Sequence, residues 1–169
     1  MTTEMLLIAT LRLIHIVSAV IWVGVAFALA MMIVPPVKGE EGMRYMKAFM
    51  NKSRISIIFP IAASLTTLAG IILYATGSPS RFTTTGNMVL GVGTLAGLLA
   101  FGHGASAMRS LTTKLTQALN GGVLDENPSI SATILSELTA LVERYRRNGM
   151  VSLLLSLIAL VGMGAARYM

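Results

Sequence analysis

The chain has 169 residues, 54% of them apolar and 12% charged, with a mean hydropathy of +0.76, a formal charge of +6 and a pI near 10.2. That is room for one domain, 1–169, and too apolar a balance for a water-soluble one. The absence of cysteine excludes disulfides, thiolate metal sites, iron–sulfur clusters and covalently attached haem.

The first apolar run extends from Met5 to the Pro35-Pro36 pair. It exceeds the ~20 apolar residues that a membrane helix needs. Its only ionisable side chains are Arg12 and His15. Ala28-Leu29-Ala30 resembles a leader cleavage site. The apolar part is too long, and no positive charge precedes it, so the segment is expected to be retained. Three further spans follow, giving Met5–Val34, Ile55–Thr76, Asn87–Met108 and Gly149–Ala166. Pro35-Pro36 ends the first and Gly77-Ser78-Pro79-Ser80 the second.

Between spans one and two lie Lys38, Arg44, Lys47, Lys52 and Arg54, and between spans three and four lie Arg109, Lys114, Arg144, Arg146 and Arg147. Only Arg12, Arg81 and Arg167 fall on the other side. The positive-inside rule then places both termini outside and both basic segments in the cytoplasm of an inner (cell) membrane protein. The basic residues therefore serve topology and lipid headgroups, and nucleic acid is rejected as a partner.

Met43, Met46 and Met50 fall on one face of a short helix, with Arg44 and Lys47 elsewhere. The ordinary reading is an interfacial helix with its thioethers in the lipid boundary. The alternative is a Cu(I) site, because soft thioethers select that ion. The first is preferred, since methionine commonly fills irregular apolar surface.

Span three carries Gly91, Gly93, Gly97, Gly102 and Gly104. Gly93 and Gly97 form a close-approach motif for helices in lipid, and they would equally make room for a flat ligand. Beyond Met108 the helix continues, with Leu111, Leu115 and Leu119 as a stripe and Asn120-Gly121-Gly122 as a stop. Asn127-Pro128 restarts it, and Ile130, Ile134, Leu138, Leu141 and Tyr145 repeat at helical spacing. The expected architecture is all-α: an integral membrane four-helix bundle with a cytoplasmic αα-hairpin over about 109–148, its second arm running into span four.

Both histidines lie in apolar spans, His15 toward the outer end and His103 toward the inner end. Their depths differ by roughly 10–15 Å at helical rise, which argues against one haem iron held by both. Near His15 the plausible second ligands are Met163 and Tyr74; near His103 they are Met31, Met32, Met108 and Met150. The competing reading of each ring is a hydrogen bond to a neighbouring helix. No span contains Asp or Glu, which disfavours a carboxylate relay, and Ser18 has no acid nearby to complete a triad.

The stretch from Arg12 through Leu13-Ile14-His15-Ile16 to Trp22-Val23-Gly24 resembles the opening helix of the CopD-like copper-resistance membrane proteins and of the HemJ-type protoporphyrinogen oxidases. Thr67-Leu68-Ala69-Gly70 resembles their second helix, and the ending Ala166-Arg167-Tyr168 that of small members. The resemblance implies a helical membrane bundle and a haem b whose ligand would be His15. The lysine of the oxidases early in the third helix has no counterpart in Asn87–Val92, and their double histidine is here Gly102-His103. Haem binding is therefore expected without porphyrinogen oxidation.

Three functions follow as expectations. The first is a b-type haem protein in membrane electron transfer, alone or in a larger complex and possible as a haem-dependent oxidoreductase. His15 would be the ligand, with Trp22, Gly93 and Gly97 as walls and Arg12, His103 and Met163 as further binding residues. The second is a non-catalytic accessory subunit, homo-oligomeric or part of a larger membrane assembly. The third is copper handling through Met and His.

Overall fold

The structure, a computed structural model, describes residues 2–76, 84–122, 124 and 131–169. These are almost wholly helical, with no strand among the described residues. The elements are α1 (Thr3–Ala28), α2 (Gly39–Lys52), α3 (Ile55–Thr76), α4 (Thr85–His103), α5 (Arg109–Asn120) and α6 (Ala132–Ala165). A π-helical turn, Leu29–Ile33, extends α1, and another, Gly104–Met108, joins α4 to α5. The expected breaks at Gly77-Ser78-Pro79-Ser80 and Asn127-Pro128, with Arg81 and Ile130, lie outside the described residues.

Local chemistry accounts for the helix ends. The side chains of Thr2, Thr84 and Ser131 accept hydrogen bonds from the free amides of Met5, Asn87 and Ile134, capping α1, α4 and α6. The π turn closes with the Val34 amide donating to the Leu29 carbonyl, directly before Pro35 and Pro36, which have no amide to donate. Gly39, with φ +64°, turns the chain into α2.

Four helical segments are long and apolar enough to cross a membrane, namely Thr3–Ile33, Ile55–Thr76, Thr85–Asn120 and Ala132–Ala165. Their outward faces carry exposed Leu13, Val20, Leu68, Val92, Leu95 and Val161, as a lipid solvent permits. The continuous helix Thr85–Asn120 is about 54 Å long at 1.5 Å per residue, well beyond the ~30 Å hydrocarbon layer. Its α5 end, and the first turns of α6, therefore extend past an apolar slab of that depth.

The long helices associate as two close pairs, α1 with α3 and α4 with α6. Glycine sets the spacing of the second pair. A Cβ added at Gly162 would stand 2.9 Å from the Gly93 Cα, and one added at Gly93 would stand 3.0 Å from the Met163 amide nitrogen. Both obstructions are backbone, which cannot swing aside. Gly162→Val is expected to force α4 and α6 apart and to cost about 1–3 kcal/mol, read as a lowered unfolding temperature in detergent. Gly102→Ala, with nothing within 4 Å of the new methyl, serves as the neutral comparison.

The pairs meet along Trp22, Ala62, Ala63 and Ala100, with Phe59, Phe101 and Leu155 at the margin, and along Ala26, Ala30 and Leu153. Beyond Trp22, toward His15, no buried apolar cluster joins them among the described residues.

The opposite end corrects one expectation. Met43 and Met46 do not face a lipid boundary; both are wholly buried, against Leu115, Leu119, Leu124, Leu138, Val142 and Tyr145. Two helices with apolar stripes, α5 and the start of α6, leave a groove between them, and α2 lies over it with its methionine face inward. Unbranched, polarizable thioethers suit the irregular gap. Met50 lies at the margin, where the Thr116 hydroxyl donates to its sulfur at 3.4 Å. The Asn51 and Asn120 amides exchange hydrogen bonds of 2.9 and 3.1 Å, and an Arg44 guanidinium N–H donates to the Leu124 carbonyl. The expected leucine stripes do form a core, Leu115 and Leu119 buried with Leu138 and Tyr145, but α2 makes it a three-helix one.

Candidate functional site

Where the pairs separate they enclose a cleft of about 480 Å3, lined by all four long helices. Its walls are mainly aliphatic. Arg12, His15, Trp22, Gly97 and Met163, expected in one binding region, all line it, as does Tyr74. Trp22 is buried where the pairs close together. Gly97 faces the Cβ of Ala159 and the Cε of Met163 on α6, each 3.6 Å from where its own Cβ would lie. Gly93 does not line the cleft; it is spent on the contact with Gly162 described above.

His15 is half-buried, and its Nδ1 lies 2.8 Å from the main-chain carbonyl of Thr66 on α3. A carbonyl oxygen only accepts, so Nδ1 carries the hydrogen. In the neutral ring the lone pair is then on Nε2, and Nε2 makes no hydrogen bond among the described residues. Arg12 stands one turn away on α1, exposed and without an ion pair among the described residues. The Ser18 hydroxyl donates to the Ile14 carbonyl, its own preceding turn, and takes no part in the cleft.

His103 is arranged in the opposite sense. The Asn148 side-chain amide donates to the Arg144 carbonyl at 2.9 Å, which turns its oxygen toward His103 Nε2 at 3.3 Å. Nε2 is therefore the protonated nitrogen, and Nδ1 accepts from the Ser152 hydroxyl at 2.8 Å. Both ring nitrogens are consumed by α6. His103 lies outside the cleft, and among the methionines expected near it Met31 and Met32 are exposed while Met108 and Met150 pack at the margins of core clusters. His103→Leu is expected to cost about 1–2 kcal/mol of stability by deleting an interhelical tether, leaving ligand binding in the cleft unchanged when titrated beside the parent protein.

No protein-family model, curated protein or solved structure matches the chain.

The site thus rests on the geometry of its own residues. Reading along the chain assigned neither Thr66 nor Gly70 a part in the site, although both meet His15 there. Thr66 acts through its carbonyl, which every residue possesses, so its side-chain identity carries no signal. Gly70 enters along the chain only as the end of Thr67-Leu68-Ala69-Gly70, a stretch that carries no sign of a contact with His15. Among the described residues no three His, Cys, Asp or Glu side chains gather as a metal cage. The chemistry on offer is one imidazole nitrogen with a lone pair, one thioether, one cation, the hydroxyl side chains of Tyr74, Thr67, Thr94 and Ser156, and an apolar wall.

Proposed function

We propose that the chain is an integral membrane protein of the inner (cell) membrane that binds a b-type haem in this cleft and takes part in electron transfer, with His15 as an axial ligand. The observation that carries the reading is the Nδ1 contact of His15 with the Thr66 carbonyl, which reserves Nε2 as an electron-pair donor. A histidine that ligates through one nitrogen ordinarily donates its other N–H to a carbonyl or carboxylate. The cleft volume lies within the ~300–1,000 Å3 of small-molecule sites. A haem, when bound, supplies reversible one-electron chemistry.

The chain's own residues divide the remaining work. The Thr66 carbonyl orients the imidazole and raises its donor strength through the shared proton. Arg12 offers a cation to acidic groups of the ligand. Met163 offers a thioether as second donor. Trp22 and the aliphatic walls give the ligand an apolar surround.

The lysines and arginines other than Arg12, Arg81 and Arg167 belong to the end of the chain's fold that carries Met43 and Met46, or to segments flanking it. The positive-inside rule makes that end cytoplasmic, with both termini and the His15 end of the cleft toward the outer side. Copper is the less favoured cargo, because the methionine face that suggested it is packed among leucines.

The test is the absorption spectrum of detergent-purified protein, oxidised and reduced, with a metal assay on the same sample. A Soret band with sharpened reduced bands supports the reading. Colourless protein that still fails to bind added haem overturns it. Such protein, co-purifying in fixed ratio with other membrane proteins, would point to an accessory subunit instead.

A further inference from the structure

The contact between His15 and α3 depends on a missing side chain. In an α-helix the Cβ of each residue leans toward the N-terminus and covers the turn before it. Gly70 follows Thr66 by one turn, so a side chain at 70 would cover the Thr66 carbonyl. The ring seated there is what it would meet: a Cβ added at Gly70 would lie 2.8 Å from His15 Cε1 and 3.1 Å from Nδ1. Contacts under 3.0 Å do not persist, so one partner must move. Here the obstruction is a side-chain ring, which can turn about its own bonds. The obstruction at Gly162, by contrast, is backbone.

We infer that Gly70 and the Thr66 carbonyl form a seat that fixes the tautomer and aim of His15, and that the seat selects the class of ligand the cleft accepts. A ring so held presents an electron pair at Nε2. It suits a metal centre or a hydroxyl that donates to Nε2. It does not suit a ligand that offers only a carbonyl at that point, because neither partner would have a proton. Gly70 is a positioning residue: it touches the imidazole and acts on the ligand through it. The inference deepens the haem reading and rests on it for the identity of the ligand, but not for the state of the ring.

Gly70→Ala tests it in two ways. The first needs no ligand: nitrogen NMR of protein labelled at histidine, in alkaline buffer so that the rings are neutral. The chain has only His15 and His103, and His103→Leu assigns the pair. In the parent protein His15 is expected as the Nδ1–H tautomer and His103 as the Nε2–H tautomer. In Gly70→Ala the His15 signal is expected to move to the other tautomer or to a mixture, with His103 unmoved. Gly24→Ala, on α1 with nothing within 4 Å of its methyl, is expected to change neither.

The second readout is haem affinity, followed by absorbance. Loss of the orienting contact is expected to weaken it about 10- to 100-fold in Gly70→Ala. A parent protein whose His15 is the Nε2–H tautomer overturns the seat, and that measurement stands even if Gly70→Ala does not fold. A folded Gly70→Ala with unaltered His15 signals overturns it as well. Correct tautomers in a protein that binds no haem would sink the haem reading and leave the seat in place.

Discussion

His15→Ala is expected to abolish the Soret band while the helical content and unfolding temperature stay close to those of the parent. The reason is an asymmetry between ligation and stability. For stability, the ring contributes one hydrogen bond to α3, which in a membrane bundle is worth about 0.6–1.7 kcal/mol. For binding, it is the only imidazole lining the cleft, and no other side chain there is a donor of comparable strength. Met163 and Tyr74 remain in the variant, and neither replaces a nitrogen ligand with a fixed tautomer. His103→Leu gives the matched comparison. It removes a ring with two hydrogen bonds to α6 yet is expected to keep the band. His15→Gly adds a stringent check, because free imidazole supplied in the buffer should enter the vacated space and restore part of the absorbance. A band that persists in His15→Ala, at unchanged intensity and position, would place the ligand elsewhere.

The second large effect concerns the other end of the molecule. Met43→Ala and Met46→Ala are each expected to lower stability by about 2–5 kcal/mol, the usual range for emptying a well-packed core position. Both side chains are fully buried among leucines from α5 and the start of α6. Met43→Leu keeps the volume and is expected to cost less than about 1.5 kcal/mol. Unfolding in detergent, followed by circular dichroism, reads both. A helix lying at a lipid boundary would show almost no penalty, since lipid or detergent would fill the space a truncated side chain leaves. The haem spectrum of the folded variants should be unaltered, because no residue of this cluster lines the cleft. Because the two methionines share one cluster, their double variant should depart from the sum of the singles.

Much of the site was legible as types of residue, and little of it as an arrangement. His15 stands out because an imidazole in an apolar run demands a partner, and Arg12 and Trp22 lie on the same helix. Met163 could be matched to His15 by depth alone, since depth follows from counting residues along helices of known rise. His103 looks equivalent along the chain. Its two hydrogen bonds to Asn148 and Ser152 come from a helix 45 and 49 residues away, and spacing does not reveal them. The Met43 face was recognised as one apolar face, yet its neighbour was misjudged. Lipid and a leucine groove both welcome such a face, and only the packing of α5 against α6 distinguishes them.

The sequence by itself determines that there are four helices fit to span a bilayer, that Pro35-Pro36 and Asn120-Gly121 end two of the helical runs, and that the helices carry amphipathic arms beyond their apolar parts. Those properties depend on the solvent and on neighbours within a turn or two, so they are written locally: an apolar run of sufficient length, a capping hydroxyl, a proline without an amide. The tertiary structure alone decides which helices pair, where the pairs part to leave a cleft, and which nitrogen of each imidazole is protonated. Pairing depends on backbones meeting at Gly93 and Gly162, and the His15 tautomer depends on a carbonyl 51 residues distant. Those are matters of distance between main-chain atoms that every residue carries, and a list of side chains does not encode them.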